Sequence, residues 1–237
     1  MTHKPVHDKN AKYKSIIKNI TFFSHLNREE LSVLVRVIIK KKFSKNEIIL
    51  LEEDTQHFMY IVFSGKIKVV QISVEGKEQI LAIHPPGSFF GEMALLDGKT
   101  SPATVIAMED SIIGLISKTD FEKHLLRNER IFREISSLLC SRLREAWMRL
   151  KVLSFADAEQ RIKAALKLMS MNYGIKDQRG TMIALKLTHK DIAACASVAR
   201  ETVSRLLEKL SKEGDIELID NKYILLTPSF YEKVLIL

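Results

Sequence analysis

Hydrophobic and polar positions change rhythm along this chain, and each rhythm predicts a different architecture. From Tyr13 to Val37 the apolar anchors Ile16, Ile17, Ile20, Leu31, Leu34 and Val35 predict helix. From about Lys42 to Ser117 the pattern breaks into short β-rich runs: IILL, MYIVFSG, IKVVQI, EQILAI, TVIAM and SIIGLI. Turn signals at Ser64-Gly65, Glu75-Gly76, Pro85-Pro86-Gly87 and Asp97-Gly98 separate them. Many short strands with regular punctuation predict an antiparallel roll or barrel. After Ser117 helical character returns. TDFEKHLL starts a short helix, and a longer one spans about Asn128 to Leu153. Within it Leu139, Leu143, Ala146, Leu150 and Leu153 repeat at alternating four and three residues, a coiled-coil-like seam. Such a stripe either pairs two chains or packs on the roll. Phe155 to Ala158 reads as a hinge, with Asp157 capping a helix from Glu159 to Tyr173. The polar stretch GIKDQRG then reads as a loop.

The segment LTHKDIAACASVARETVSRLLEKL, Leu187 to Leu210, carries the most specific pattern. It reads as two short helices around a tight turn. Thr188 is placed to cap the first, with Asp191 in its first turn. Ile192, Ala196, Val198, Val203, Leu206, Leu207 and Leu210 supply the apolar positions that join the helices, and small alanines surround the turn. On the second helix Glu201, Ser204 and Arg205 share one face, with Arg200 at its edge. Arginine bonds a guanine edge through two N–H groups and glutamate accepts from cytosine, so such a helix suits the major groove. The bland alternative is a solvated charged face. A hairpin follows: Ile216 and Leu218, then Tyr223 and Leu225, alternate with more polar neighbours around Asp220-Asn221. Helix-turn-helix plus hairpin is a winged helix, in which Lys222 faces the phosphate backbone. Base contacts are expected from Arg200, Glu201 and Arg205, and phosphate contacts from Thr188, Ser204 and Lys222, with Thr202 inside the same stretch.

The fold class is therefore α+β: a β-roll (jelly roll), a long helix that bears the apolar seam and a C-terminal winged helix-turn-helix. The expected domains are residues 14–127, 128–154 and 155–237. The net charge of +8 points to an anionic partner. From Phe155 to Leu237, however, 13 basic residues face 11 acidic ones, so placement rather than bulk charge carries the DNA reading. No run approaches the ~18 apolar residues of a membrane span. The polar, basic N-terminus predicts no secretory signal. The two cysteines, Cys140 and Cys195, lie far apart and predict neither a disulfide framework nor a zinc site, which fits a reducing cytoplasm. Cys195 is expected to be a small buried hydrophobe. A metal enzyme on a cupin-like roll would need clustered histidines. His57 and His84 are isolated, and HxH and HExxH spacings are absent, so neither an enzyme nor a metal site is expected.

The motifs FGEMALLDG at Phe90 to Gly98, PATV at Pro102 to Val105 and ARETVSRLL at Ala199 to Leu207 resemble the Crp/Fnr (catabolite activator) family of bacterial transcription regulators. The likeness runs from about residue 14 to 228. It implies a cyclic-nucleotide-binding-type roll, a homodimer formed by the long helix, a near-palindromic DNA site, and RNA polymerase as a further partner. The family's base-reading residues match Arg200, Glu201 and Arg205, and its usual turn glycine is Ser197 here. The candidate effector pocket comprises Gly91, Glu92, Met93, Ser101, Pro102, Ala103, Ala146 and Trp147. In cAMP-binding members the ribose meets the Gly-Glu pair, here Gly91 and Glu92. The phosphate meets an Arg-Ser pair, here Ser101-Pro102, and the adenine meets Thr-Ser on the dimer helix, here Ala146 and Trp147. The guanidinium is missing and proline has no N–H, so the expected effector is not cAMP. An iron–sulfur cluster is not expected, because no cysteine precedes Cys140. Haem would draw on His57, His84, Trp147 or Cys140, and is not expected either. A cAMP-responsive regulator, and a signalling module whose winged helix binds protein, are the alternatives.

Overall fold

The computed structural model describes residues 13, 15–18, 20, 23, 26–55, 57–220 and 223–234. Its contacts divide the chain into two units, Met1–Ser141 and Arg142–Leu237.

In the first unit, α1 (Arg28–Val37) opens on a capping box. The Asn27 side chain accepts from the backbone of Glu29 and Glu30, and Glu30 accepts from the Asn27 N–H. The helical segment expected from Tyr13 to Val37 is thus interrupted, because Asn27 is extended. The roll follows as β1 (Ile39–Phe43), β2 (Ile48–Leu50), β3 (Phe58–Ser64), β4 (Ile67–Ile72), β5 (Glu78–His84), β6 (Phe89–Phe90), the short α2 (Glu92–Asp97), β7 (Thr104–Ala107) and β8 (Ser111–Ser117). Two antiparallel sheets result, ordered β1-β8-β3-β6 and β2-β7-β4-β5.

β3 explains why MYIVF is a continuous apolar run. Met59, Ile61 and Phe63 enter a cluster with Leu34, Ile116, Phe121, Leu125, Ile131 and Ile135, whereas Tyr60 and Val62 enter the roll's interior with Ile67, Phe90, Val105 and Ile113. The strand is buried on both faces, so alternation disappears. Gly114 of β8 is required there, since a Cβ would collide with the Phe63 ring. β1, with sequence IKKKF, was not foreseen: four of its five residues are exposed on an edge, and lysines are what edges favour. Ser117 caps the short α3 (Lys118–Phe121), which runs into a wider π-type turn at Glu122–Leu126. The long α4 (Glu129–Phe155) then begins.

In the second unit Asp157 caps α5 (Ala158–Tyr173) by accepting from the Gln160 N–H. The expected loop GIKDQRG is instead a hairpin, β9 (Gly174–Asp177) and β10 (Gly180–Ile183). It hid from pattern reading because all of β9 is exposed. There follow α6 (His189–Ala196), α7 (Arg200–Lys212), β11 (Ile216–Ile219), β12 (Tyr223–Leu226) and α8 (Pro228–Glu232), with sheet order β11-β12-β10-β9. The clean alternation expected in the wing is not observed: Leu218 is exposed and Ile224, Leu225 and Leu226 are all buried. Ile219 pairs with Tyr223, so three positions join the strands rather than two. Asp220 has the positive φ, 50°, that the turn was expected to need. Among the described residues no helix is long and apolar enough to cross a membrane.

A buried acid ties the end of this unit together. Asp215 is wholly buried and accepts from Ser229 Oγ at 2.6 Å and Lys233 Nζ at 2.7 Å. Burial alone would raise its carboxyl, but the bonds from Lys233 and Ser229 outweigh that and hold it below the usual range. A depressed native value contributes stability above the unfolded-state value and loses it as pH falls through the native one. Asp215→Asn is therefore expected to lower the melting temperature by a few degrees near neutrality. The gap to the parent should close in melts run below about pH 4.

Candidate nucleic-acid interface

The reading surface is built by one turn and two short helices. Thr188 is extended and caps α6 in a reciprocal box: its Oγ1 accepts from the Asp191 N–H at 3.1 Å, and Asp191 Oδ2 accepts from the Thr188 N–H at 2.9 Å. Thr188 Oγ1 also donates to that carboxylate at 2.6 Å, which commits its hydroxyl proton locally. α6 ends at Ser197, left-handed at φ 54° and ψ 47°, whose N–H bonds the Ala193 carbonyl. A serine held there is strained by about 1 kcal/mol or more. Ser197→Gly is expected to recover about that amount in chemical denaturation, without loss of DNA binding.

α7 buries Val203, Leu206, Leu207 and Leu210 and exposes Arg200, Glu201 and Arg205. Thr202 and Ser204 are half-buried between these two sides. Ile192 and Ala196 of α6 are buried as expected, Val198 is half-buried, and Cys195 is half-buried rather than fully enclosed. The pattern is that of a helix clamped along one side and presenting the other, and it follows from the 3.6-residue period. At its C-terminal end Lys209 reaches Glu159 of α5 at 3.0 Å, and the same carboxylate accepts from the buried Lys163 at 2.6 Å. The bonds from Lys163, then Lys209, lower the Glu159 carboxyl. This brace, and the contact between His189 Nδ1 and Ser204 Oγ at 2.7 Å, went unseen in the sequence. Each joins residues far apart in the chain, and single-helix spacing carries no signal for them. Lys222 lies outside the described residues.

The candidate effector residues of the first unit lie at the start of α2 and in the segment just before β7. Gly91 adopts φ 87°, a value that suits glycine, and it starts α2, whose Glu92 is completely buried. Met93 is 44% exposed, while Ser101 and Ala103 are buried and Pro102 is exposed. Ser101 Oγ donates to the Ala103 carbonyl at 2.8 Å, so this hydroxyl too is committed within the protein. Tyr60 stacks on Phe90 at 4.8 Å, and His84 lies parallel to the same ring at 6.2 Å. Burial, with Asp54 nearby, raises the Tyr60 phenol. Ala146 and Trp147 lie on α4 in the second unit, both exposed. Among the described residues no group of three or more His, Cys, Asp or Glu side chains is placed to hold a metal ion.

A roll, a long helix and a winged helix-turn-helix with a charged reading face define a DNA-binding transcription regulator. Comparison with known proteins agrees. Residues 40–128 match the cyclic nucleotide-binding domain model and residues 160–229 the Crp-like helix-turn-helix domain model. The chain is 32% identical over 203 residues to the cyclic AMP receptor protein of Thermus thermophilus, covering 85% of this chain and 90% of that one. It is 26% identical to the anaerobic regulatory protein of Bacillus subtilis, over 82% of each. A solved CooA variant from Carboxydothermus hydrogenoformans superposes with a TM-score of 0.74 at 25% identity, covering 86% of this chain and 90% of that one. The chain belongs to the Crp/Fnr family of bacterial transcription regulators.

Proposed function

We propose that this regulator acts in the cytoplasm as a homodimer that reads a near-palindromic DNA site under the control of a small-molecule effector other than cAMP. One observation carries the DNA half of this reading: α7 exposes Arg200, Glu201 and Arg205 together while its opposite side is buried. Arg200 and Arg205 read guanines and Glu201 accepts from a base amine. Phosphate contacts come from the residues around them, Ser204 and Lys222 included. The dimer reading is supported by α4, where Leu143 is 51%, Leu150 63% and Leu153 37% exposed. The upstream part of the seam, at Leu139, packs against the roll's cluster. An apolar stripe left open to water is a mark of an interface. Two recognition helices then enter successive major grooves, and RNA polymerase is the partner on which a bound dimer acts.

The name of the Thermus relative favours cAMP as the effector, and the pocket argues against it. The phosphate position offers Pro102, which has no N–H, and Ser101, whose hydroxyl is already donated. A missing charge-assisted bond weakens a ligand by about ten- to a hundredfold. Titration calorimetry with cAMP is expected to show no micromolar binding, and a micromolar heat would favour the cAMP-responsive reading. For DNA, the protein is offered a pool of randomised duplexes. The expected result is an enriched inverted repeat with half-sites about one helical turn apart. Binding to that duplex should fall steeply with added salt. Failure to enrich any duplex would overturn the DNA reading.

A further inference from the structure

His189 is the first residue of α6, directly after the cap Thr188, and Ser204 lies mid-way along α7 on the side of Glu201 and Arg205. Their bond, Nδ1 to Oγ at 2.7 Å, joins the two helices of the reading motif, and both side chains are half-buried. A serine hydroxyl has one proton. If Ser204 gives it to the imidazole, the oxygen faces DNA as an acceptor only, and phosphate oxygens are themselves acceptors. If the ring N–H donates to Oγ, the hydroxyl proton is released to turn outward.

We propose that His189 is a positioning residue for DNA binding, whose Nδ1–H donates to Ser204 Oγ and so directs the Ser204 O–H onto a backbone phosphate oxygen. The inference rests on the DNA-binding reading above and deepens it. The chain of bonds then runs one way, from ring to hydroxyl to phosphate, and each bond polarises the next. Only a ring protonated at Nδ1 can direct the hydroxyl outward in this way.

The charged groups on the neighbouring elements are in part committed elsewhere. On α6 they are Lys190 and Asp191, the latter held by Thr188. On α7 they are Arg200, Glu201, Arg205, Glu208, Lys209 and Lys212, with Glu208 paired to Lys212 and Lys209 to Glu159. On α5 Glu159 is held by Lys163 and Lys209, and Arg161 bonds the carbonyls of Leu153 and Ala156, with Lys167 further along. Glu217 of β11 is held by Arg179, and Lys186 precedes the motif. Docking DNA is the change in charge that this pair meets.

The test uses the full chain and the duplex that the parent protein enriches from the random pool. Fluorescence anisotropy is read at one pH and salt concentration. The proteins are the parent, His189→Asn, His189→Ala, Ser204→Ala and the double alanine variant. Ser204→Ala is expected to lose about ten- to a hundredfold in affinity. His189→Ala, which removes the ring donor, should lose a comparable factor, and the double alanine variant should be no weaker than Ser204→Ala, the signature of one coupled unit. His189→Asn keeps an N–H donor and should bind close to the parent. Losses that add, or a His189→Asn protein as weak as His189→Ala, would overturn the proposal. If His189→Ala fails to fold, His189→Phe, which fills the space without a donor, takes its place in the cycle. A parent protein that enriches no duplex would instead sink the DNA reading itself.

Discussion

Leu150→Glu is expected to convert the protein into a monomer and to cut its affinity for the full operator by on the order of a hundred- to ten-thousandfold. Leu150 is 63% exposed in the isolated chain, so the change removes little that the chain needs for its own fold. Stability of the monomer should stay within about 0.5 kcal/mol of a neutral surface change. In a symmetric pair the same position lies on the seam, where two carboxylates would meet in an apolar contact. The affinity falls because a dimer's second half-site contact is intramolecular, and a monomer forfeits that advantage. Sedimentation velocity gives the mass, and anisotropy on full and half sites gives the two affinities. A dimeric Leu150→Glu, or a parent protein that is itself monomeric, contradicts the pairing along α4.

Arg200→Ala is expected to weaken specific binding by about 1–3 kcal/mol, and to relax base preference at one position of each half-site. Arg200 is the first residue of α7 and is exposed, at the end of the helix that the proposed docking sets nearest the bases. Arg200→Lys should recover little, because an ammonium cannot reproduce a planar two-pronged contact. Repeating the duplex selection with the variant reads the relaxed position directly. An unchanged consensus would mean that α7 does not dock by its N-terminal end.

Much of this was legible before any coordinates, for identifiable reasons. The cap at Thr188, the buried positions of α7 and most strands of the roll are local events, written in spacing and turn chemistry. What escaped was non-local or exposed. β1 and β9 are strands whose side chains mostly face solvent, so no apolar pattern marked them. The extra residue between β11 and β12 is a matter of register, which pairing decides and composition does not. Pairs such as His189 with Ser204, or Glu159 with Lys209, exist only once separate helices meet. Ser197 was the reverse case: it stands where the resemblance places a turn glycine, and its φ of 54° is left-handed.

Because β3 is enclosed on both sides, its tolerance to change should lack the every-other-residue rhythm seen along an ordinary surface strand. In a saturation library, Met59 through Phe63 would read as five consecutive forbidden sites for charged replacements. The roll would thus drift fastest along its lysine-bearing margin and slowest along this central strand, leaving a fixed spine on which new ligand preferences can arise without loss of the scaffold.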